Sequence, residues 1–349
     1  MLSFWIFLSS GLFLGWSLGA NDASNIFGTA VGTKMVKFRT AAIISSIFVI
    51  WGAVAGGDGA AQTLNKLGSV NASAGAFMVG LSAALSIYWM TKGKVPVSTS
   101  QAIVGAIVGW NLYSGKPTDL SIFSTIVGTW IFCPILAGFF AVLIYQISRF
   151  IIIKAKIPLI RQDFYTRLGL ILAGAFGAYA LGANNIANVM GVFVASNQLH
   201  AITFFKSIDL NAEQVLFLLG GIAISVGIFT YSKRIMMTVG NNICVISPLA
   251  AWVVVIAQSL VLFLFASQDF HTFLEHHGLP SIPLVPVSSS QAVIGAVIGI
   301  GLLKGGHGIN WNLLGRIFIG WIATPVIAAG LCYVALFFLQ NVFNLTVYY

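Results

Sequence analysis

A cluster of hydroxyl side chains occurs twice in this chain, each time after a Pro-Val pair and before an apolar run. The sequence reads PVSTSQAIVGAIVG at 96–109 and PVSSSQAVIGAVIG at 286–299. Proline suits a helix start because its missing N–H is not needed there. Hydroxyl donors beside the free N–H groups and positive dipole end of a helix start can bind an anion. The predicted oxyanion site therefore consists of Ser98, Thr99, Ser100, Ser288, Ser289 and Ser290.

Hydroxyl residues in apolar helices can also simply pack helices together or bond back to their own backbone. That interpretation fits an isolated serine in a membrane span. Here nine of 14 positions are identical between the two copies. The duplication favours a binding function, because transporters with internal repeats place their sites at such interruptions.

A second duplicated motif carries carboxamides and one carboxylate. It reads GANDASNIFG at 19–28 and GANNIANVMG at 182–191, with five of ten positions identical. A carboxylate at membrane depth is costly and indicates a functional site by default, although helix capping near the interface is the alternative role. Carboxylate and amide oxygens suit a hard cation. The predicted cation ligands are Asn21, Asp22, Asn25, Asn184, Asn185 and Asn188, with Na⁺ held at Asp22 and its neighbouring Asn residues.

Two glutamines, Gln101 and Gln291, directly follow the hydroxyl clusters. Each is a further candidate cation ligand, because from this position its side chain could bridge the ion and substrate sites. Packing or bonding within the helix remains an open alternative for both.

The composition places most of the chain in a lipid bilayer. Of 349 residues, 58% are apolar and only 7% are charged, whereas soluble domains carry about 25% charged residues. So few charges cannot cover a water-facing surface of this size, so the bilayer must be the main solvent. The net charge of +9 comes from basic residues concentrated in a few loops, so nucleic acid is not an expected partner.

About ten membrane passes are predicted, each needing about 20 apolar residues. The apolar segments lie at roughly 3–20, 41–58, 74–91, 96–113, 121–148, 165–182, 212–231, 237–266, 286–303 and 312–340. The fourth and ninth are short, rich in glycine and begin with proline, which is typical of discontinuous or re-entrant half-helices.

The orientation follows from the basic residues, which favour the cytoplasmic side. With the N-terminus outside and every segment crossing, only Lys66, Lys116 and Lys206 fall outside. We therefore predict a multi-pass protein of the cell (inner) membrane with both termini outside.

The repeated motifs occur in the same order in both halves, and a looser third pair follows, WIFCPILAG at 130–138 and WIATPVIAAG at 321–330. Five passes per half is an odd number, so the second copy is turned upside down, as in known transporters with broken helices. The predicted fold is an all-α inverted-repeat transporter forming one fused transmembrane domain. Its parts are a first repeat at 1–148, a short basic cytoplasmic linker at 149–164 and a second repeat at 165–349.

The sequence does not contain the motifs of common enzymes. There is no HExxH and no P-loop, and the GWSLG match to GxSxG at 15–19 lies inside an apolar segment, without the strand–turn–helix context of a nucleophile elbow. We therefore expect neither an enzyme nor an ATP-driven pump, and no cofactor.

At the two duplicated motifs the sequence resembles the inorganic phosphate transporter (PiT) family, which is marked by a duplicated GAND-type signature and Pro-x-Ser-x-Ser-type segments. The match extends over nearly the whole chain. The resemblance implies an inverted-repeat fold with discontinuous helices and cation-coupled phosphate uptake, usually with Na⁺ and in some members with H⁺. The expected function is phosphate import by Na⁺ symport through alternating access. The expected partners are phosphate or sulfate, Na⁺, the bilayer and a second copy in a homodimer.

One departure from the family pattern concerns Asn185, where the second signature usually carries Asp. Its absence removes a negative charge from the expected cation sites. HPO₄²⁻ carries a proton that it can donate to a carboxylate, whereas sulfate does not. An H⁺-coupled phosphate or sulfate permease is therefore the alternative function. A passive anion channel is a further one, although tight duplicated polar clusters favour an occluded site.

Overall fold

The computed structural model describes residues 2–92, 97–204, 208–233, 235–236, 247–306 and 309–349. Predictions that involve Pro96, Lys206 and the beginning of segment 237–266 lie outside the described residues.

Within these ranges the chain is helical almost throughout, apart from one short hairpin. The helices are α1 (Leu2–Asn21), α2 (Ala23–Gly32), α3 (Phe38–Gly56), α4 (Asp58–Leu67), α5 (Ser73–Lys92), α6 (Thr99–Ser114), α7 (Leu120–Lys154), α8 (Leu159–Met190), α9 (Ala212–Thr230), α10 (Pro248–Leu264), α11 (Gln268–His276), α12 (Ser289–Leu303) and α13 (Trp311–Asn341). A 3₁₀ turn spans Gly191–Phe193, and β1 (Ile202–Phe204) pairs antiparallel with β2 (Ile208–Leu210).

Seven helical segments are long and apolar enough to cross a membrane, counted over the described residues. They are Ser3–Gly32, Phe38–Gly56, Ser73–Lys92, Leu120–Lys154, Leu159–Phe193, Ala212–Thr230 and Trp311–Asn341. An eighth arises if α10 and α11, bent by 66° to each other, form one span. Helices α6 and α12 have only 16 and 15 residues, fewer than the ~20 of a full crossing. Both segments predicted as half-helices are therefore too short for a full crossing.

Polar side chains cap the starts of α7 and α9. At α7 the Asp119 carboxylate accepts hydrogen bonds from the backbone N–H groups of Ser121 (2.9 Å) and Ile122 (3.0 Å). At α9 Asn211 and Gln214 form a reciprocal capping box, which satisfies two otherwise unpaired N–H groups. Both starts thus follow from local sequence.

The predicted linker at 149–164 is largely helical. Helix α7 continues to Lys154 and α8 begins at Leu159, so only 155–158 separate the two halves. Pro158 immediately precedes α8, where its fixed backbone angle and missing N–H are compatible with a helix start. The break between the halves is therefore shorter than its polar sequence suggests.

Glycines make equivalent contacts in the two halves. A Cβ on Gly52 of α3 would collide with the backbone oxygen of Tyr179 in α8, and one on Gly227 of α9 with that of Trp16 in α1. Tyr179 and Trp16 each precede the GAN motif of their half by three residues. Helix α3 therefore packs on α8 as α9 packs on α1.

Each short helix packs on a long helix of the other half. A Cβ on Gly105 of α6 would collide with the backbone of Pro325 in α13, and one on Gly295 of α12 with that of Pro134 in α7. We call these two Gly–Pro pairs the crossing contacts. They fix α6 against α13 and α12 against α7.

Candidate functional site

The starts of α6 and α12 converge on the junction between α1 and α2. Ser98 and Ser288 cap the two short helices by accepting hydrogen bonds from the backbone N–H groups of Gln101 (3.4 Å) and Gln291 (3.2 Å). Both motifs thus form helix N-termini at their hydroxyl clusters, as the sequence indicates. The remaining free N–H groups and the dipoles of both helices are directed at this region.

The Asp22 carboxylate accepts hydroxyl hydrogen bonds from both halves of the molecule. Thr99 Oγ1 donates to Oδ2 at 2.7 Å. Ser290 Oγ lies 3.4 Å from Oδ1 and 3.2 Å from the backbone oxygen of Val97, so its single proton is shared between these two acceptors. Among the described residues, Asp22 is the one charged side chain that is buried, and neither ion pair found there involves it. The hydroxyls therefore stabilise a carboxylate that has no basic partner in this part of the chain.

Asn25 extends this cluster into the second half. Its Nδ2 donates to Ser289 Oγ (3.1 Å) and Ser290 Oγ (3.2 Å). Its backbone oxygen accepts a 2.8 Å hydrogen bond from Nε2 of Gln258 in α10. Gln258 was not predicted from the sequence, although a lone amide in an otherwise apolar helix is a usable signal, since such residues bond across helices.

Two of the six hydroxyl residues contact each other instead of Asp22. Ser98 Oγ and Ser100 Oγ lie 3.0 Å apart, and both side chains are buried. On the other side, the Cys133 thiol donates to the Ser288 backbone oxygen at 3.7 Å. The structure therefore brings all six hydroxyl residues to the two helix starts, but only Thr99 and Ser290 bond to the carboxylate.

Asn184 has a positioning role. Its Oδ1 accepts from the N–H of Val287 (2.8 Å), and its Nδ2 donates to the oxygen of Val285 (3.0 Å). This paired contact fixes the extended segment that leads into α12. By contrast, the Nδ2 of Asn21, the equivalent residue of the first signature, donates to Ser17 O within α1 (3.0 Å).

The other amides of the second signature form a separate pair. Asn188 Nδ2 donates to Asn185 Oδ1 at 2.9 Å. Within the described ranges, Asn185 Nδ2 and Asn188 Oδ1 are buried without a hydrogen-bond partner. The pair therefore retains one free donor and one free acceptor. Helix α8 runs through both residues without interruption, whereas only Asp22 separates α1 from α2.

Gln101 and Gln291 lie beside the hydrogen-bonded cluster around Asp22, but they face a separate crevice. Gln101 and Gln291 both line a crevice between α7 and α13, and their Oε1 atoms have no partner among the described residues. The site thus consists of a hydrogen-bonded centre around Asp22, flanked by the Asn185–Asn188 pair and by the two glutamines.

A sequence model of the phosphate transporter family matches residues 18–332, and matches again at 281–346. The chain belongs to the phosphate transporter family. Both duplicated motifs and helices α6 and α12 lie within the first match.

Similar proteins include members of this family from archaea and bacteria. A candidate phosphate permease of Methanocaldococcus jannaschii is 27% identical over 316 residues, covering 90% of this chain and 91% of the relative. The sulfate permease CysP of Bacillus subtilis is 26% identical, covering 92% of this chain and 84% of the relative. The family member described here thus resembles proteins named for two different oxyanions.

The fold is also that of a solved structure. A structure titled as the sodium-dependent phosphate transporter superimposes with a TM-score of 0.72 at 22% identity, over 96% of this chain and 99% of that one. The family and the fold are those of membrane transporters.

Proposed function

We propose that this family member imports inorganic phosphate by symport with Na⁺ through alternating access. The observation that carries the proposal is the Asp22 carboxylate, which accepts hydroxyl hydrogen bonds from Thr99 of the first half and Ser290 of the second. A cation bound at this carboxylate would lie next to the hydroxyl clusters that are suited to the oxyanion. The named sodium dependence of the solved structural relative favours Na⁺ as that cation.

The charges at the site account for coupling. A phosphate dianion close to Asp22 is repelled, and the repulsion is strong where little water screens it. A bound Na⁺ offsets that repulsion, so the cation raises the affinity for the anion. By linkage, the anion raises the affinity for the cation by the same factor.

The oxyanion in this proposal binds between the starts of α6 and α12. Ser98 and Ser288 cap these helices, and the hydroxyls that follow lie beside N–H groups that have no partner within their helix. Two facing helix starts with several hydroxyl donors can hold a tetrahedral oxyanion without an arginine.

The directions of the helices support an inverted repeat. Gly105 and Gly109 of α6 contact Pro325 and Ala329 of α13 in the same order, so these two helices run parallel. Likewise, Gly295 and Gly299 of α12 pack on Pro134 and Gly138 of α7 in the same order, so α12 and α7 also run parallel.

The turn between α6 and α7 is short, since α6 ends at Ser114 and α7 begins at Leu120. Helix α7 therefore starts near the end of α6 and runs in the opposite direction, and α12 runs parallel to α7. The equivalent helices α6 and α12 then point in opposite directions, as alternating access by exchange of two inverted halves requires. On the distribution of basic residues we place both termini outside the cell (inner) membrane.

Sulfate is the second candidate substrate. Asn185 stands where the related signature carries a carboxylate, and its Nδ2 is a buried donor without a partner in the described chain. A donor can face an oxyanion that has no proton of its own, whereas a carboxylate cannot. The 26% identity with a sulfate permease over 92% of this chain also favours sulfate as the second candidate substrate.

Uptake into liposomes that contain only this protein tests the proposal. Labelled phosphate is supplied under a Na⁺ gradient, a pH gradient or no gradient, with and without excess unlabelled sulfate. Concentrative, Na⁺-dependent uptake that sulfate does not reduce is the expected result. Concentrative uptake under the pH gradient alone would assign the coupling to H⁺. Sulfate accumulation without phosphate uptake would assign the substrate to sulfate, and non-saturable flux that stops at equilibrium would indicate a channel.

A further inference from the structure

Helices α7 and α8 are longer than a membrane crossing requires. They contain 35 and 32 residues, about 52 and 48 Å at 1.5 Å per residue, whereas the hydrocarbon core of a bilayer is ~30 Å thick. Even a tilt of about 40°, the upper end of the usual range, would leave α7 spanning ~40 Å along the membrane normal. Both helices therefore extend beyond the hydrocarbon core.

The surplus length lies where the two helices follow each other in the sequence. Between Ala141 of α7 and Leu170 of α8 the structure describes every residue, and none of them is buried. The packed body of the protein thus ends at these two positions, and the chain between them projects from it. We call residues 149–168, the outer part of this projection, the basic segment.

Large apolar side chains are exposed on the basic segment. Leu159 is 82% and Ile160 87% exposed, and Phe150, Phe164 and Leu168 are exposed as well. Ile160, Phe164 and Leu168 follow one another at intervals of four residues, which places them on one face of α8. A concentration of exposed apolar surface indicates a binding partner or a membrane.

The basic segment is also strongly charged. It contains five basic residues and one acidic residue, Asp163, which gives a net charge of +4. Asp163 pairs with Arg167 at 3.3 Å. The other four basic residues are exposed, and none of them is in an ion pair in the described part of the chain. They are Arg149, Lys154, Lys156 and Arg161. The segment therefore presents an excess of positive charge to its surroundings.

Basic and apolar side chains lie next to each other on this surface. Lys154 Nζ lies 5.6 Å from the centre of the Phe150 ring, and Arg161 directly follows Ile160. The stems of Lys and Arg can lie along apolar surface while their charged ends reach outward. Helices that combine Lys or Arg with large apolar side chains in this way are typical of membrane interfaces.

We propose that the basic segment lies in the surface of the bilayer and binds anionic phospholipids. Its apolar side chains, among them Leu159, Ile160 and Phe164, enter the boundary between headgroups and acyl chains. Its basic side chains, among them Lys154 and Arg161, bind the lipid phosphates. On the distribution of basic residues this is the cytoplasmic surface, where the anionic lipids of a membrane attract Lys and Arg.

Charge and exposure together select this occupant. An acidic soluble protein or a nucleic acid would pair with the charges but would have no acyl chains to cover Leu159 and Ile160. A second copy of this chain would cover the apolar side chains but would bring another charge of +4 against the first. A zwitterionic lipid supplies acyl chains without net negative charge. An anionic phospholipid supplies both in one molecule.

Local fluorescence quenching tests the proposal with the whole chain in a bilayer. Ile160→Cys is labelled with nitrobenzoxadiazole in a Cys244→Ala background, because Cys133 and Cys332 are buried. The labelled protein is reconstituted in phosphatidylcholine vesicles. The quencher is phosphatidylglycerol or phosphatidylcholine that carries a nitroxide near the headgroup end of one acyl chain, added at increasing mole fraction. Quenching then reports which lipid lies beside the basic segment.

The phosphatidylglycerol quencher should act at a lower mole fraction than the phosphatidylcholine quencher. We expect half-maximal quenching at a mole fraction about five-fold lower, since each basic group near the surface attracts anionic lipid. Changing Lys154→Gln, Lys156→Gln and Arg161→Gln together should bring the two curves to within about two-fold of each other. The phosphatidylcholine curve should stay unchanged, which shows that the segment is still in place.

A second triple variant is the matched control. Lys37→Gln, Arg39→Gln and Arg316→Gln together remove the same charge from exposed positions outside the basic segment, on the side of the membrane to which the basic residues assign it. This variant should keep the preference for phosphatidylglycerol. An equal loss of preference in both triple variants would overturn the proposal, because total charge alone would then explain it.

Two further outcomes would also overturn the proposal. Equal quenching by the two lipids before any basic residue is changed would show a segment in the bilayer without preference for anionic lipid. No quenching by either lipid would place the segment outside the bilayer, against a soluble partner or a second copy. Because lipid contact is measured without a transported solute, each outcome holds whatever the protein transports.

Discussion

The Thr99 hydroxyl donates a 2.7 Å hydrogen bond to the Asp22 carboxylate across a separation of 77 positions in the chain. Asp22 belongs to one duplicated motif and Thr99 to the other, so this bond joins the predicted cation site to the predicted anion site. The Ser290 hydroxyl adds a contact from the second half at 3.4 Å. This arrangement leads to specific expectations for individual variants.

Asp22→Asn should abolish Na⁺-driven uptake while the protein still reaches the membrane. The amide has nearly the same shape but removes the buried negative charge that a cation needs. Uptake under a Na⁺ gradient is the measurement, with membrane abundance as a check. Asp163→Asn is the control, since Asp163 pairs with Arg167 on an exposed face, and it should transport normally. Undiminished gradient-driven uptake by Asp22→Asn would refute the assigned role.

Thr99→Val should weaken Na⁺ activation, whereas Thr99→Ser should preserve it. Valine keeps the shape but cannot donate to Asp22, and a hydrogen bond to a charged group contributes about 1.5–3 kcal/mol. We therefore expect the Na⁺ concentration for half-maximal uptake to rise at least ten-fold in the valine variant. Equal behaviour of the two variants would show that packing, and not the hydroxyl, is what matters at this position.

Asn184→Ala should destabilise the protein and reduce transport together. The change leaves the N–H of Val287 and the oxygen of Val285 buried without their partner, at a cost of about 2 kcal/mol. Thermal unfolding in detergent measures it. Asn21→Ala is the matched control from the first signature and loses only a contact within its own helix. If the two variants unfold at the same temperature, the hydrogen bonds from Asn184 to the segment before α12 do not stabilise the protein.

Asn185→Asp should shift selectivity from sulfate towards phosphate. The new carboxylate can still accept the hydrogen bond from Asn188 Nδ2, but it replaces the buried free donor with a negative charge that repels an unprotonated dianion. Competition between labelled phosphate and unlabelled sulfate measures the effect. Asn185→Leu, which has neither donor nor charge, separates the two contributions. An unchanged selectivity ratio in Asn185→Asp would place this residue outside the substrate site.

Gly105→Ala and Gly295→Ala should be strongly destabilising. In each case the added methyl group would overlap the backbone of a proline on the partner helix, and such overpacking typically costs 1–3 kcal/mol. Gly128→Ala on α7 and Gly330→Ala on α13 are the controls, because nothing lies within 4 Å of a Cβ there. Thermal stability measures the difference. Similar unfolding temperatures for all four variants would contradict close packing at the crossing contacts.

The sequence by itself determined the membrane class and the approximate positions of the long apolar helices, and it revealed the duplicated motifs. The short helices α2, α4 and α11 were not predicted from it. Low charge content forces the chain into lipid, and the duplicated motifs around Asp22 and Ser98 are readable because each lies in a continuous stretch. The short helices α6 and α12 begin where proline and serine predict, since capping is a local interaction between residues three positions apart.

Only the tertiary structure decided which side chains meet. Within one helix, periodicity gives the relative directions of side chains, but it does not say which distant helix they face. Asn184 and Asn185 are neighbours in one motif, yet the first clamps the backbone before α12 while the second pairs with Asn188. Gln101 follows directly after Ser100 but lines the crevice between α7 and α13. Consecutive helical residues point about 100° apart, so neighbouring residues of one motif face different elements, and tertiary packing decides which partner each one meets.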